Sequence, residues 1–287
     1  MGSYTVATLV AVGLVLTQVN GQGTGQSCTI LGGLPSGTCV PSSEICVAVP
    51  LATCNSGLKC CALEQSLPAN VDWRNSNIVT PAKNQEGCGT SYAFAAVGAI
   101  ESYIAKKTGR LLDLSEQQVV DCSYRIQGNM NAGCGGGNVV TVFDYVRKNG
   151  LVEESSYPYV SGRSGTHYSC RSNSGPYRIS GYTRITNGSE YELQKAVATN
   201  GPVVVSISGE NRDFQLFSGS GIYDNPACPK QVDVDVLVIG YGTQNGKDYW
   251  LIKNSLGSTW GENGFGKILR GVNQCGIASD YSWFPII

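Results

Sequence analysis

Nucleophilic or metal chemistry in this 287-residue chain has few side chains to draw on: a single histidine, His167, and twelve cysteines. One imidazole cannot complete a zinc shell, so no metal site and no cofactor are predicted. A serine nucleophile would need a general base within reach, and His167 sits three residues before Cys170, the setting of a surface loop. The cysteines divide six and six. Cys28, Cys39, Cys46, Cys54, Cys60 and Cys61 crowd into a short stretch rich in Gly, Pro and Ser, whereas Cys88, Cys122, Cys134, Cys170, Cys228 and Cys275 are spread over the rest. Behind a secretory leader such numbers predict disulfides rather than reactive thiols.

The elements that must position these groups follow from pattern. Residues 1–21 read as a signal peptide: Val6, Leu9, Val10, Val12, Leu14, Val15 and Leu16 form an apolar run ending at the small-residue stretch Val19-Asn20-Gly21. The run is shorter than the ~18 unbroken apolar residues of a membrane anchor. Residues 22–66 read as a six-cysteine module, too small to be stable without its bridges. Its cysteine order weakly resembles clip-type or defensin-like modules, and spacing leaves its pairing open. Residues 67–287 form the main domain. Phe94, Val97, Ile100, Tyr103 and Ile104 mark a helix over 91–107 stopped by Gly109, and Ser115-Glu116-Gln117-Gln118 has the form of a capping box opening a second helix. Strands are predicted at 203–207, 234–241, 249–253 and 264–269. A net charge of −1, with 20 basic and 21 acidic residues, excludes the footprint of a nucleic-acid or anionic-membrane binder.

Several ordered motifs carry a resemblance. Leu67-Pro68-Ala69-Asn70-Val71-Asp72-Trp73-Arg74, Asn84-Gln85-Glu86-Gly87-Cys88-Gly89-Thr90-Ser91-Tyr92-Ala93-Phe94, Gly133-Cys134-Gly135-Gly136-Gly137, Gly240-Tyr241-Gly242 and Tyr249-Trp250-Leu251-Ile252-Lys253-Asn254-Ser255 occur in that order. Over about 220 residues the chain resembles the papain and cathepsin L-type cysteine peptidases. The resemblance implies an α+β, two-lobe fold, a helical lobe and an antiparallel β-barrel lobe, preceded here by the disulfide-rich module. Against the signature C-G-[SA]-C-[WY], the chain reads Cys88-Gly89-Thr90-Ser91-Tyr92, so Ser91 stands where that family has its nucleophilic cysteine. The family's D-H-[AG]-V stretch aligns with Asp233-Val234-Asp235-Val236, so Val234 stands where it has its histidine. A serine hydroxyl stays protonated near neutral pH, and valine cannot accept its proton. Ser91 itself is expected to serve as a helix N-cap.

The same resemblance implies that Gln85 matches the oxyanion-stabilising glutamine, that Asn254 matches the asparagine that orients the histidine, and that Gly136 and Gly137 form the edge that pairs with extended peptide. Leu256 replaces a tryptophan. It further implies the bridges Cys88–Cys134, Cys122–Cys170 and Cys228–Cys275, which would leave no thiol in the main domain. On strand alternation, Asp233 and Asp235 are expected to face away if Val234 faces the cleft. Asn187-Gly188-Ser189 is a glycosylation sequon. The expectation is a secreted, extracellular pseudoprotease, not an enzyme, serving as a structural, matrix or binding protein whose partner is an extracellular protein or extended peptide, with no nucleic acid and no membrane once the signal is removed. Two alternatives stay open: a hydrolase using Ser91 with another base, and an inhibitor or decoy.

Overall fold

The computed structural model describes residues 67–124, 131–186 and 188–287 in full, and of residues 1–66 only the backbone of six strands. The chain divides into two compact units, Met1–Leu67 and Pro68–Ile287. In the first, β1 (Tyr4–Val10) and β2 (Gly13–Val19) pair as an antiparallel hairpin over the apolar run read as a leader. A second sheet, antiparallel in the order β3-β4-β6-β5, consists of β3 (Ser27–Cys28), β4 (Gly37–Pro41), β5 (Ala48–Thr53) and β6 (Leu58–Ala62). Cleavage of the leader, cystine pairing in the 22–66 module and the sequon residue Asn187 lie outside the described residues.

The second unit opens with β7 (Val71–Asp72) and then turns helical: α1 (Ser91–Thr108), α2 (Glu116–Cys122), α3 (Val139–Asn149) and the short α4 (Ser161–Ser164). Helix α1 is apolar on nearly all sides because it is surrounded, with Ala93, Val97 and Ile100 fully buried. Gly109 ends it in the left-handed conformation, its N–H donating to the Ala105 carbonyl. At α2, Ser115 Oγ accepts the Gln118 N–H at 3.0 Å, which is half of the expected capping box. The other half is absent because the Gln118 amide reaches instead to Tyr145 Oη and the Gly150 carbonyl.

The remainder is a sheet with helices at its margins: β8 (Gly181–Ile185), α5 (Glu190–Thr199), β9 (Val203–Ile207), α6 (Arg212–Gln215), β10 (Ile222–Tyr223), β11 (Val234–Gln244), β12 (Lys247–Lys253), β13 (Phe265–Leu269) and β14 (Ser282–Ile286). Its order is β10-β13-β12-β11-β9-β14-β8, with β7 also pairing β11. All pairs are antiparallel except the short edge contact of β10 with β13. The chain therefore has the mixed α+β, papain-like fold. One core lies among α1, α2 and α3 and reaches Val204, Leu237 and Leu251 of the sheet. The other lies within the β lobe around Trp250, Trp260 and Phe214. Bridges Cys88–Cys134 and Cys122–Cys170 tie the helical lobe, and Cys228–Cys275 ties the β lobe. Among the described residues no cysteine is free, and no helix is long and apolar enough to cross a membrane.

The two lobes are joined by a buried polar chain that the sequence did not announce. Lys253 on β12 donates to Thr80 Oγ1 at 2.6 Å, and Thr80 donates to Glu101 Oε2 on α1, also at 2.6 Å. Glu101 Oε1 accepts the Leu114 N–H at 2.8 Å and faces Lys83 at 3.4 Å, and Lys83 is paired with Glu116 of α2 at 2.8 Å. Burial works against the Lys83 ammonium, yet the Glu116 and Glu101 carboxylates together raise it above the ordinary lysine value. Burial lowers Lys253 against the pull of Glu101. Breaking one member of such a chain strands its partners without water. Glu101→Gln is therefore expected to lower the free energy of urea unfolding by about 3 kcal/mol, and adding Lys253→Met should restore part of that loss. Additive losses in this double-mutant cycle would show that the two residues are not coupled.

Candidate active-site cleft

Helix α1 begins in the cleft because of what precedes it. The bridge Cys88–Cys134 pins the 88–90 turn to the 133–137 loop, and Gly89 N–H donates to the Cys134 carbonyl at 3.1 Å. A side chain at Gly89 would put its Cβ 2.7 Å from that carbonyl oxygen. Thr90, not Ser91, occupies the N-cap position. Its hydroxyl bonds the Cys88 carbonyl at 3.2 Å and Tyr159 Oη at 2.9 Å rather than the helix. Ser91 is thus the first helical residue. The expectation that it caps the helix is corrected, because the disulfide-held turn enters the helix one residue earlier than pattern suggests.

The Ser91 hydroxyl oxygen instead accepts the main-chain N–H of Asp235, at 3.2 Å, across the gap between α1 and β11. Strand β11 runs Val234, Asp235, Val236 opposite Ile207, Ser206 and Val205 of β9. Val234 is partly buried against the β-lobe core. A Cβ on Gly209 would lie 3.0 Å from the Val234 Cβ. Among the described residues no carboxylate or imidazole hydrogen-bonds the Ser91 hydroxyl. His167 stacks on Tyr124 with ring centroids 3.8 Å apart and lies against Gly133, where its Cβ would be 2.8 Å from a side chain added at that glycine.

Gln85 and Asn254 lie close by in different states. Gln85 is braced: its amide nitrogen donates to the Cys88 carbonyl at 3.1 Å, and its oxygen accepts the Ser255 hydroxyl at 2.6 Å. Asn254 accepts the Ser255 N–H at 2.8 Å through Oδ1, but its buried Nδ2 has no hydrogen-bond partner. Such a group costs about 1–3 kcal/mol. On the facing loop Gly136 has a φ of 99° with open space where a side chain would be, whereas a Cβ on Gly137 would meet Asn131 Oδ1 at 2.5 Å and the Tyr92 ring at 2.7 Å. Glycine at 137 is required by this close approach, and glycine at 136 by its backbone.

The carboxylates flanking Val234 behave differently from one another. Asp233 accepts the N–H groups of Gly209 and Glu210 at 2.7 and 3.2 Å. Alternation is kept along β11: Val234, Val236 and Val238 pack on the β-lobe core and Leu237 and Ile239 on the helical-lobe core, which puts the Asp235 side chain on the opposite face from Val234, where it accepts the Ser206 hydroxyl; both residues border a cavity that also touches Gly137 and Asn138. Asp235 and its neighbour Asp280 were not anticipated as site residues, and two closely spaced acids on a predicted strand were the available signal. Among the described residues no three His, Cys, Asp or Glu side chains group as metal ligands.

Burial pushes the Asp235 carboxyl up to about 6; the Ser206 hydroxyl, 2.6 Å away, acts against this, and Asp280 adds to it. A folded value above the unfolded one of about 3.9 means the acid is comfortable neutral. Its contribution to stability is complete below about pH 4 and lost as pH rises through about 6. Asp235→Asn removes that loss, so its stability relative to the parent should grow by on the order of 2 kcal/mol between pH 4 and pH 7. Urea unfolding with disulfides intact reads this directly, and a pH-independent difference would refute it.

Comparison with known proteins fits this geometry. A family profile described as "Papain family cysteine protease" matches residues 67–284. Mouse cathepsin S is 44% identical over 225 residues, covering 78% of this chain and 65% of that protein. Human cathepsin L2 is 46% identical over 224 residues, covering 76% of this chain and 65% of that protein. The chain thus spans 65% of the length of each of these relatives. Among solved structures, digestive procathepsin L 3 of the Tenebrio molitor larval midgut superposes with a TM-score of 0.70 at 39% identity, over 78% of this chain and 72% of that one. The Carica candamarcensis cysteine protease in complex with E-64 gives 0.67 at 37% identity, over 77% and 99%.

Proposed function

The chain belongs to the papain family of cysteine proteases, and from that premise we propose that it is a member without peptidase chemistry, a secreted protein that holds extended peptide or protein segments in a cleft unable to cut them. One observation carries this: at the start of α1 the nucleophile's position is a serine, Ser91, whose oxygen is engaged by a main-chain N–H, while the position of the base is Val234. An N–H donor cannot take the hydroxyl proton. A serine without a base is not a useful nucleophile, and Cys88, the neighbouring sulfur, is closed into a disulfide.

The rest of the cleft supports binding over chemistry. Gln85 is tied to Ser255 and Cys88, so its amide acts as a brace between the lobes. Asn254 has its oxygen taken by the Ser255 N–H and its amide nitrogen without a hydrogen-bond partner. Gly136 has open space where a side chain would be and Gly137 is exposed, which leaves room for a chain to add by main-chain hydrogen bonds. The apolar run from Val6 to Leu16 and the disulfides support an extracellular setting.

The decisive assay offers the full chain a panel of fluorogenic peptides together with an epoxide thiol probe and a fluorophosphonate serine probe. No turnover and no labelling beyond those of Ser91→Ala are expected. Turnover that Ser91→Ala abolishes would establish a serine hydrolase and overturn the proposal. Ser91→Cys combined with Val234→His is expected to raise kcat/KM on the order of 10⁴ above background, the scale on which a nucleophile and base act together.

A further inference from the structure

At the end of α1 remote from the cleft, roughly 22 Å along the helix from Ser91, an open groove of about 460 Å³ lies between that helix, the end of α5 and β14. One wall is apolar. It consists of the Tyr103 ring, stacked on Phe284 with centroids 5.8 Å apart, followed by Pro285 and Ile286. Ile286 is 46% exposed, a branched apolar side chain left facing water. The other rim carries Lys106 and Lys107. Lys107 is committed to the Ile287 main-chain oxygen at 2.6 Å. Lys106 donates to the Asn200 carbonyl at 2.5 Å and stands 4.9 Å from the Trp73 ring centroid, and among the described residues it is in no ion pair with a carboxylate. Partial burial lowers its ammonium below the ordinary lysine value, and no acid opposes that shift.

Strand β14 is flanked by β9 and β8, and its Pro285 has no N–H to donate, so the groove lacks the free strand edge on which an extended peptide pairs. An apolar wall facing one ammonium without a counter-charge is complementary instead to a single negative head on an apolar chain. We propose that the groove binds a free fatty acid of medium chain length, its carboxylate on Lys106 and its chain along Tyr103, Phe284 and Ile286. The site stands apart from the cleft and does not depend on the peptide-holding reading. An ammonium has three N–H groups, so Lys106 can keep Asn200 and still donate to a carboxylate in a charge-assisted bond. The chain takes the exposed face of Ile286 and its own methylenes out of water together. A neutral head leaves Lys106 without the ion pair, and a cationic one is repelled by both lysines.

Isothermal titration calorimetry of the full chain with octanoate, decanoate, decanol and decyltrimethylammonium, each below the concentration at which it aggregates, tests this. Decanoate should bind about tenfold or more tightly than decanol or decyltrimethylammonium. It should bind about fourfold more tightly than octanoate, the increment for two methylenes half covered by an open groove. Lys106→Met, which keeps an apolar stem, should lower decanoate affinity about tenfold and leave decanol unchanged, a split that a merely structural lysine would not give. Ile286→Glu, at an exposed position, should weaken both, with folding checked by circular dichroism. No binding of decanoate would overturn the site, and equal affinity for decanoate and decyltrimethylammonium would overturn the anion preference. Decanoate binding that survives Ile286→Glu would place the acid elsewhere and refute the groove. Binding to phosphatidylglycerol vesicles but not to monomeric decanoate would make this face a membrane contact and overturn a free fatty acid as its occupant.

Discussion

The buried polar chain from Lys253 through Thr80, Glu101 and Lys83 to Glu116 is the constraint on which the cleft depends. It runs from β12 to α1 and on to α2, with Glu101 and Glu116 buried and Lys253 nearly so. Groups like these are costly to desolvate singly and tolerable only together. Their geometry therefore fixes how the helical lobe meets the sheet. Because Ser255 lies two residues beyond Lys253, the same chain places the residue that braces Gln85.

That arrangement separates what positions the cleft from what the side chains at its two key positions can do. Reactivity in this fold would reside in two side chain tips, at positions 91 and 234, whereas position is set by disulfides, the ionic chain and the β9–β11 register. Exchanging the tips leaves the supports untouched. What remains at the tips is local: a serine oxygen held by a main-chain N–H, and an asparagine amide left without a partner. Neither propagates, because each neighbour is satisfied by something else.

Much of this architecture could be read from residue pattern, and the exceptions have physical causes. Helix α1 showed itself through apolar residues at helical spacing, and β9, β11, β12 and β13 through branched apolar runs between turn residues. Helix α3 did not, because Val139-Val140-Thr141-Val142 is a strand-like string; the Asn138 cap and packing against α1 override it. Helix α5 carried a readable signal, Ser189 three residues before Glu192, and Ser189 does accept the Glu192 N–H at 3.1 Å. The ionic chain was beyond reach, since Thr80 and Lys253 are 173 positions apart and nothing local marks them as partners. In the cleft, residue types at 91 and 234 were plain from alignment to motif, but which residue occupies the N-cap position of α1 depends on the disulfide-held turn.

The bridges account for why such a site can carry unused polar groups. Each closes a loop of nearly fifty residues, with separations of 46, 48 and 47. In the chain-entropy view a loop of that size is worth about 4 kcal/mol against unfolding. A single orphaned amide such as Asn254 costs about 1–3 kcal/mol, and a half-paired acid such as Asp235 adds a pH-dependent penalty of similar size. One bridge outweighs either. A thiol-free, heavily stapled domain therefore tolerates an orphaned amide and a half-paired carboxylate in its cleft without losing its shape.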